Sequence, residues 1–277
     1  MARFGSGRVT LPFWKMHGAG NDFILFDDRS GNIPISDPSR LMAWADRRLG
    51  VGADGVILIQ PSESATFRMR FFNQDGGEAE MCANGARCVS RLAFDLGVAP
   101  REMQIETMAG RLGAEMVGEQ VKLAMMEPHD WCLDGELELD GTAQGYASLN
   151  TGVPHVILEC MDVASVDVVE TGRALRYHDA FAPAGTNANF VEVCGPQSLR
   201  ARTYERGVEA ETLACGTGVV ACALVEAKRS RVTAPIEVTC ASGSILTVDF
   251  RLTAAGAENV TLLGPAQYVF EGVLEVQ

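Results

Sequence analysis

The chain carries one short pattern twice, about 132 positions apart. Residues 71–88 read FFNQDGGEAEMCANGARC, and residues 203–222 read TYERGVEAETLACGTGVVAC. Both copies contain Glu-Ala-Glu, then a cysteine in the pattern Cys-x-x-Gly, then a second cysteine. Two copies of one pattern at this spacing predict two copies of one structural unit.

Three further pairs of segments keep nearly the same displacement, 131 to 133, in the same order. They are 20–26 with 152–158, 51–58 with 184–191, and 105–112 with 236–246. We therefore predict an N-terminal half over 1–128 and a C-terminal half over 129–263. Residues 1–12 precede the matching region, and we expect them to form a mobile tail.

Each half is predicted to be rich in short strands, with one helix after the repeated cysteine. The apolar or alternating runs 23–26, 56–59, 67–72 and 121–125 are β-prone and bounded by Gly, Asp or Pro. The helices are predicted at 83–96, before Gly97, and at 217–228. A third is expected at 39–49, after a cap signal and Pro38.

The fold class that follows is α+β with two pseudo-symmetric halves. The second repeated helix is apolar on every side from Val219 to Val225, which is typical of a helix enclosed by other structure. We expect each half to be a curved mixed β-sheet or barrel around its central helix, with the active site in the cleft between the halves.

Charge and hydropathy argue against two classes of partner. The chain has 36 acidic and 23 basic residues and a net charge of -13, without a basic patch that would attract nucleic acid. Its longest clear apolar run, Val219 to Val225, is far too short to span a membrane. The first ten residues lack the apolar segment of a secretory signal, so we expect a cytoplasmic protein.

Eight cysteines in 277 residues are too dilute for a disulfide scaffold. The sequence has no Cys-x-x-Cys pair, and its four histidines lack metal-ligand spacing, so we expect no metal site. Most of the cysteines, including Cys88 and Cys222, are expected to be small buried hydrophobic residues.

Cys82 and Cys215 differ from the others because each directly precedes a predicted helix. Unpaired N–H groups and the helix dipole favour anions at a helix start, which stabilises a thiolate and can hold a carboxylate. The N–H groups available for a substrate carboxylate belong to Ala83, Asn84, Gly216 and Thr217.

Two equivalent thiols suit the inversion of a carbon stereocentre. That reaction needs a base that removes a proton from one face and an acid that returns one to the other. Burial in the core is the ordinary explanation for an isolated cysteine. The polar, glycine-rich frame repeated around Cys82 and Cys215 favours catalysis instead.

Several motifs resemble those of the diaminopimelate epimerase family: HGAGNDF (17–23), GVGADG (50–55), NTGVPH (150–155) and both cysteine segments. The resemblance covers nearly the whole chain. It implies an epimerase without a cofactor that interconverts LL- and meso-diaminopimelate in lysine and peptidoglycan precursor synthesis. It also implies a homodimer, with 264–277 returning to complete the first half and Phe270 near the dimer contact.

The resemblance assigns roles by position. Cys82 and Cys215 match the acid/base pair, and His155 and Glu205 match the residues that poise the thiols. The positions matching substrate-binding residues are Asn21, Asn73, Asn187, Glu205 and Arg206, together with the two helix starts. Without the family, Asn21 could be a turn residue and His155 a hydrogen-bonded strand histidine. Likewise, Asp54 and Asp75 read as turn or cap residues, and Glu205 with Arg206 as a surface pair.

Other functions stay open on the sequence. A cofactor-independent racemase of histidine, proline or another amino acid would keep both thiols. Val153, where many relatives have Asn, and Gly55, where some have Gln, leave room for it. A ligand-binding or redox-sensing protein would not need both thiols in their full frames. A pyridoxal enzyme would need a phosphate-binding motif, and we recognise none.

Overall fold

The computed structural model describes residues 9–139 and 141–276. The helices are α1 (Pro38–Ala45), α2 (Ala83–Asp95), α3 (Val168–Arg176) and α4 (Gly216–Lys228). The strands up to the middle of the chain are β1 (Val9–Gly18), β2 (Asn21–Asp27), β3 (Gly55–Gln60), β4 (Phe67–Asn73), β5 (Glu78–Ala79), β6 (Glu102–Thr107), β7 (Gly110–Val117), β8 (Gln120–Ala124) and β9 (His129–Leu139). The later strands are β10 (Thr142–Asn150), β11 (Pro154–Glu159), β12 (Asn187–Gly195), β13 (Ser198–Glu205), β14 (Ala210–Thr212), β15 (Ile236–Thr239), β16 (Ile245–Leu252), β17 (Ala257–Pro265) and β18 (Gln267–Val276).

The chain forms two compact units. One ends at Val121 and takes up the chain again at Ala266, so that it includes β18, and the other runs from Lys122 to Pro265. The boundaries expected from the sequence were 128 and 263. The first observed boundary falls inside β8.

In the first unit the strands pair in the order β18, β1, β2, β3, β4, β6 and β7. The pairs β2–β3 and β4–β6 are parallel, and the others are antiparallel. Helix α2 contacts β1, β2, β3, β4 and β7, so the sheet bends around it. The buried core includes Phe26, Leu41, Trp44, Val56 and Leu58.

The second unit repeats this plan in the order β9, β10, β11, β12, β13, β15, β16 and β17. Here β11–β12 and β13–β15 are the parallel pairs. Helix α4 contacts β10 to β13 and β15 to β17, and eleven of its thirteen residues are buried. This burial explains why the sequence of α4 is apolar on every side.

Strand register shows that the repeat is structural. Phe23 pairs with Gly55 across β2 and β3, and His155 pairs with Asn187 across β11 and β12. Nearly the same offset relates the pair Phe67 and Ile105 to the pair Leu199 and Val238, with one extra residue before Val238. The predicted α+β class with one central helix in each half is confirmed.

Two sequence-based expectations need correction. The helix expected over 39–49 ends at Ala45, because the Asp46 carboxylate accepts hydrogen bonds from the N–H groups of Arg48 and Leu49. Of the tail expected over 1–12, residues 1–8 lie outside the described residues, whereas 9–12 begin β1. That strand forms because Leu11 and Phe13 are buried in the core of the first unit.

None of the helices in the described parts of the chain is long and apolar enough to cross a bilayer.

Candidate active site

Cys82 occupies the N-cap position of α2. Its backbone is extended (φ −134°, ψ 118°), and its side chain makes no capping hydrogen bond to the helix. Its carbonyl oxygen accepts the first helical hydrogen bond, from Ala86 N–H at 2.8 Å. The half-buried thiol therefore lies at the positive end of the helix dipole, where a negative charge is stabilised.

Asn84, in the first turn of α2, is fixed from two sides. Its Nδ2 donates to Asn21 Oδ1, and its Oδ1 accepts from Arg87 Nη2 at 2.7 Å. Asn84 and Arg87 are buried. Gly18 allows this packing, because a Cβ there would lie 2.6 Å from the carbonyl oxygen of Asn84. Asn21 and the start of α2 thus come together.

Asn21 is held in turn by a network of charged side chains. Its Nδ2 donates to Asp54 Oδ2 at 3.1 Å, and Arg47 donates to both Asp54 and Asp22. Lys15, which is 5% exposed, donates at 2.6 Å to Asp22 Oδ2, an oxygen that also accepts from Arg47 Nη1. Burial raises the pKa of Asp22, but hydrogen bonds from Arg47 and Lys15 outweigh it and lower that pKa to about 2.

Asn73 lies at the end of β4, opposite Gly55, and its side chain is exposed. Its backbone closes the following turn, donating to the carbonyl oxygen of Gly77 at 2.8 Å and accepting from Gly76 N–H at 2.9 Å. Asp75 accepts a hydrogen bond from Gly77 N–H, which matches its expected role as a turn residue.

Cys215 repeats the first arrangement at the N-cap of α4. Its backbone is extended (φ −107°, ψ 106°), without a side-chain capping bond, and the residue is 6% exposed. Its Sγ lies 3.5 Å from Thr217 Oγ1. Thr151 Oγ1 donates to the carbonyl oxygen of Thr217 at 3.1 Å, which anchors the first turn of α4.

Asn187, the first residue of β12, and Arg206, the residue after β13, contact each other. Asn187 is buried; its Oδ1 accepts from Arg206 N–H at 2.8 Å, and its Nδ2 donates to the carbonyl oxygen of Pro154 at 3.1 Å. The Arg206 guanidinium donates to Ala184 O at 3.2 Å. Glu205, the last residue of β13, is half-buried. The structure thus connects two of the predicted substrate-binding residues by a direct hydrogen bond.

His155 is buried in β11, with 1% of its surface exposed. Asn189 Nδ2 lies 3.1 Å from its Nδ1. Burial lowers the pKa of His155 to about 3, because the effect of desolvation and of the nearby Arg206 charge exceeds that of the Asn189 hydrogen bond. The imidazole is therefore neutral at physiological pH and acts as a hydrogen-bonding group.

Other thiols are held in the neutral form. Burial raises the pKa of Cys88 to about 12 and that of Cys160 to about 11. Burial also raises the pKa of Cys222 well above its ordinary value. Cys88 and Cys222 are fully buried helix residues, as the sequence predicted.

Sequence reasoning missed two groups of residues around the site. Asp54, interpreted as a turn or cap residue, binds Asn21 and Arg47. Asn189 and Thr203, which contact each other next to His155, are not among the residues that the sequence motifs single out. Strand register, and not the sequence repeat, reveals this second pair, because it places Ile57 and Phe71 of the first half at the matching positions. A polar pair replacing an apolar pair in buried strands indicates a specific hydrogen-bonding role.

Within residues 9–139 and 141–276, no three His, Cys, Asp or Glu side chains are grouped as metal ligands would be.

Comparison with known proteins identifies relatives over nearly the full length of the chain. The sequence model of diaminopimelate epimerase matches residues 13–131 and 147–269. The chain is 41% identical to a diaminopimelate epimerase from Aquifex aeolicus, over 95% of this chain and 98% of that protein. It is 39% identical to one from Archaeoglobus fulgidus, over 97% of this chain and 98% of that protein.

A solved structure shares the fold at low identity. The hydroxyproline epimerase from Agrobacterium vitis, crystallised with bound trans-4-hydroxy-L-proline, superimposes with a TM-score of 0.71. The match covers 96% of this chain and 93% of that chain, with 17% identity. At this identity the likeness concerns the fold.

Proposed function

Because the chain belongs to the diaminopimelate epimerase family, we propose that it interconverts LL- and meso-diaminopimelate by moving the proton of one α-carbon. The enzyme is an isomerase. The observation that carries the proposal is the pair of thiols, Cys82 and Cys215, at equivalent N-cap positions of two repeated helices.

The two thiols act as an acid/base pair. One is a thiolate and takes the α-proton, and the other is a thiol and returns its proton to the opposite face of the carbon. The electron pair of the broken C–H bond is delocalised into the α-carboxylate and then captures the returned proton. Each turnover leaves the two thiol groups with exchanged protonation states, so the enzyme is ready for the reverse reaction.

The helix starts stabilise the charge that develops during this transfer. Removal of the α-proton increases the negative charge on the substrate α-carboxylate, and N–H groups of the first helical turns can bind it. We assign this role to Ala83 and Asn84 at α2 and to Gly216 and Thr217 at α4. Ala83, Asn84 and Gly216 are buried, which strengthens each interaction by excluding water.

The distal amino acid end of the substrate needs both donors and acceptors. Arg206 can bind its carboxylate through two N–H groups, and Glu205 can accept from its ammonium group. Asn21, Asn73 and Asn187 supply neutral amides, which fix orientation without adding charge. His155 and Glu205 are assigned to poising the thiols.

We further propose a cytoplasmic homodimer that serves lysine and peptidoglycan precursor synthesis and uses no cofactor. In support of a dimer, β18 exposes Tyr268, Val269, Phe270 and Val273. Apolar and aromatic residues of this kind are enriched in protein interfaces. The excess of acidic residues argues against a nucleic-acid partner.

The decisive experiment is incubation of the purified protein with LL-diaminopimelate, without added cofactor, followed by chiral chromatography. We expect meso-diaminopimelate to form and the two stereoisomers to reach equilibrium from either side. L-proline and L-histidine are run in parallel, because a racemase of another amino acid would act on one of them. Absence of meso product from a folded preparation would refute the proposal.

A further inference from the structure

Three buried side chains of the second unit form a hydrogen-bonded chain, and two of them, Asn189 and Thr203, lie near Cys215. Thr203 Oγ1 donates to Asn189 Oδ1 at 2.9 Å, and Asn189 Nδ2 lies 3.1 Å from His155 Nδ1. Asn189 is fully buried, and Thr203 is 4% exposed. Gly218 of α4 lies against this chain: a Cβ there would lie 2.3 Å from Asn189 Oδ1, 3.2 Å from Thr203 Oγ1 and 3.3 Å from Cys215 Sγ.

The orientation of the Asn189 amide is fixed by a carbonyl oxygen, which can only accept a hydrogen bond. Asn189 Nδ2 also lies 2.9 Å from the carbonyl oxygen of Val156. A flipped amide would set two oxygens against each other at that distance, so the NH₂ group must face Val156. The same NH₂ group faces His155 Nδ1, and the Thr203 hydroxyl satisfies the amide oxygen on the other side.

This geometry determines the tautomer of His155. A neutral imidazole carries one hydrogen, and a nitrogen that accepts from Asn189 cannot carry it. The hydrogen therefore resides on Nε2. That atom is buried and has no hydrogen-bond partner among the residues that the structure describes, so its N–H group remains available to a neighbouring acceptor.

The first unit has no counterpart of this chain. At the positions matching His155, Asn189 and Thr203 it carries Phe23, Ile57 and Phe71, all apolar and buried. Phe23 and Phe71 stack edge to face with their ring centroids 5.9 Å apart. Gly85, which matches Gly218, packs against the Ile57 and Phe23 side chains.

We propose that Asn189 and Thr203 are positioning residues that hold His155 as the Nε2–H tautomer and thereby favour ionisation of Cys215, whose Sγ lies with Asn189 Oδ1 and Thr203 Oγ1 around the place of a Gly218 Cβ. The two thiols are then poised differently, since the side chains that pack against the glycine in the first turn of α2 are apolar. The ionisation of Cys215 therefore depends on these hydrogen-bonded side chains, whereas the ionisation of Cys82 does not. This inference rests on the proposed role of Cys215 and adds the residues that act through His155.

The test compares Thr203→Val and Asn189→Ala with the wild-type protein in two measurements. Nitrogen-15 NMR of the histidine rings reports the tautomer of His155, whose signals are assigned by their loss in His155→Phe. Iodoacetamide alkylation across pH, read by peptide mass spectrometry, reports the ionisation of Cys215 and of Cys82 separately. Arg206, whose charge acts on His155, is left unchanged in all variants.

We expect the wild type to hold the Nε2–H tautomer. In Asn189→Ala, water that enters the space can serve either nitrogen, so both tautomers should be populated; Thr203→Val should give a smaller change in the same direction. Cys215 should become alkylated about tenfold more slowly near neutral pH, the effect of a one-unit rise in its pKa, while Cys82 keeps its wild-type rate.

Thr212→Val is the matched control, because Thr212 pairs directly with Thr203 across β13 and β14. Its buried Oγ1 has no hydrogen-bond partner among the described residues, so the variant should behave as the wild type. If both Asn189→Ala and Thr203→Val keep the tautomer and the Cys215 profile, the proposal is wrong. Both readouts use folded protein without substrate, so a failure of the epimerase assay would not be mistaken for this result.

Discussion

Cys82 and Cys215 lie at helix N-termini with side chains that make no capping hydrogen bond, whereas Cys88 and Cys222 lie inside the helices and are fully buried. We predict that Cys82→Ser and Cys215→Ser each lower epimerisation by at least about 100-fold, because a serine hydroxyl is far too weak an acid to supply a base near neutral pH. The rate of meso product formation, measured for each purified variant, is the test.

Cys194→Ser and Cys132→Ser serve as controls. Cys194 is exposed and Cys132 half-buried, and neither is at a helix start, so both variants should retain wild-type turnover. Circular dichroism confirms that all four proteins are folded. Wild-type turnover in folded Cys82→Ser would contradict the mechanism with two thiols.

His155 should make the stability of the protein depend on pH. Its pKa is about 3 in the folded protein and near its ordinary value of 6.5 in the unfolded chain, so the unfolded chain binds the proton first. The neutral imidazole therefore makes its full contribution to the free energy of unfolding above pH 6.5, and this contribution is lost as the pH falls toward 3. Between about pH 6 and 4, the free energy of unfolding should fall by about 1.4 kcal/mol per pH unit from this group alone.

Urea unfolding at pH 7, 6 and 5 measures this dependence. His155→Phe, which installs the residue that the first half has at Phe23, should remove that part of the slope. His129→Gln, at an exposed histidine, should keep it. Equal slopes in the wild type and in His155→Phe would show that the buried imidazole does not control acid stability.

At this scale, the sequence predicted residue types better than it predicted their partners. Asn21, Cys82 and Cys215 were recognisable because the repeat and the motifs mark their positions. The links from Asn21 to Asp54 and from Asn189 to Thr203 join residues 33 and 14 positions apart. Such links depend on strand register, which a sequence pattern specifies only through the fold.

At the scale of elements, α4 packs closely at Gly218. We predict that Gly218→Ala destabilises the protein by about 2 kcal/mol, although alanine normally favours a helix by about 1 kcal/mol over glycine. The added Cβ would meet Asn189 Oδ1 at 2.3 Å, and Asn189 cannot retreat without breaking its bonds to Thr203 and Val156. Thermal unfolding measures the change.

Gly145→Ala is the control for this substitution. A Cβ at Gly145, in β10, would have its nearest heavy neighbour at 4.0 Å, and the backbone there does not need a positive φ. This variant should unfold within about 1 kcal/mol of the wild type. If Gly218→Ala is as stable as Gly145→Ala, the close approach of α4 to Asn189 is not a constraint.

The helices and strands were predictable where local signals agreed with tertiary packing. Helix α2 begins and ends close to the predicted positions because Gly97, with φ +67°, terminates it. Helix α1 is shorter than predicted because Asp46 captures backbone N–H groups that would otherwise continue it. Apolar periodicity alone cannot reveal that competition.

For the whole molecule, the two copies of the unit predict the fate of the transferred proton. In deuterated water, meso product formed from protiated LL-substrate should carry deuterium at the inverted carbon from the first turnovers. The returned hydron comes from the second thiol, which has equilibrated with solvent, whereas the first thiol keeps the proton it removed until exchange. Unreacted substrate should therefore gain label more slowly.

Mass spectrometry and proton NMR at early reaction times measure the label. The distal stereocentre of the substrate serves as the internal control and should gain no deuterium, because both thiols are assigned to the reacting carbon and neither is assigned to the distal hydrogen. Product that retains the original proton at the inverted carbon would require a single base that serves both faces. The pairing of Cys82 with Cys215 would then be incorrect.

The return of β18 to the first unit has a consequence for biosynthesis. The ribosome makes β1 early, but its partner β18, paired from Val9 with Val276 to His17 with Gln267, follows the entire second unit in the chain. During translation the nascent first unit must keep one edge of β1 unpaired, and exposed strand edges promote aggregation. The second unit, contiguous from Lys122 to Pro265, is free to finish folding first, so the N-terminal unit is the last to mature.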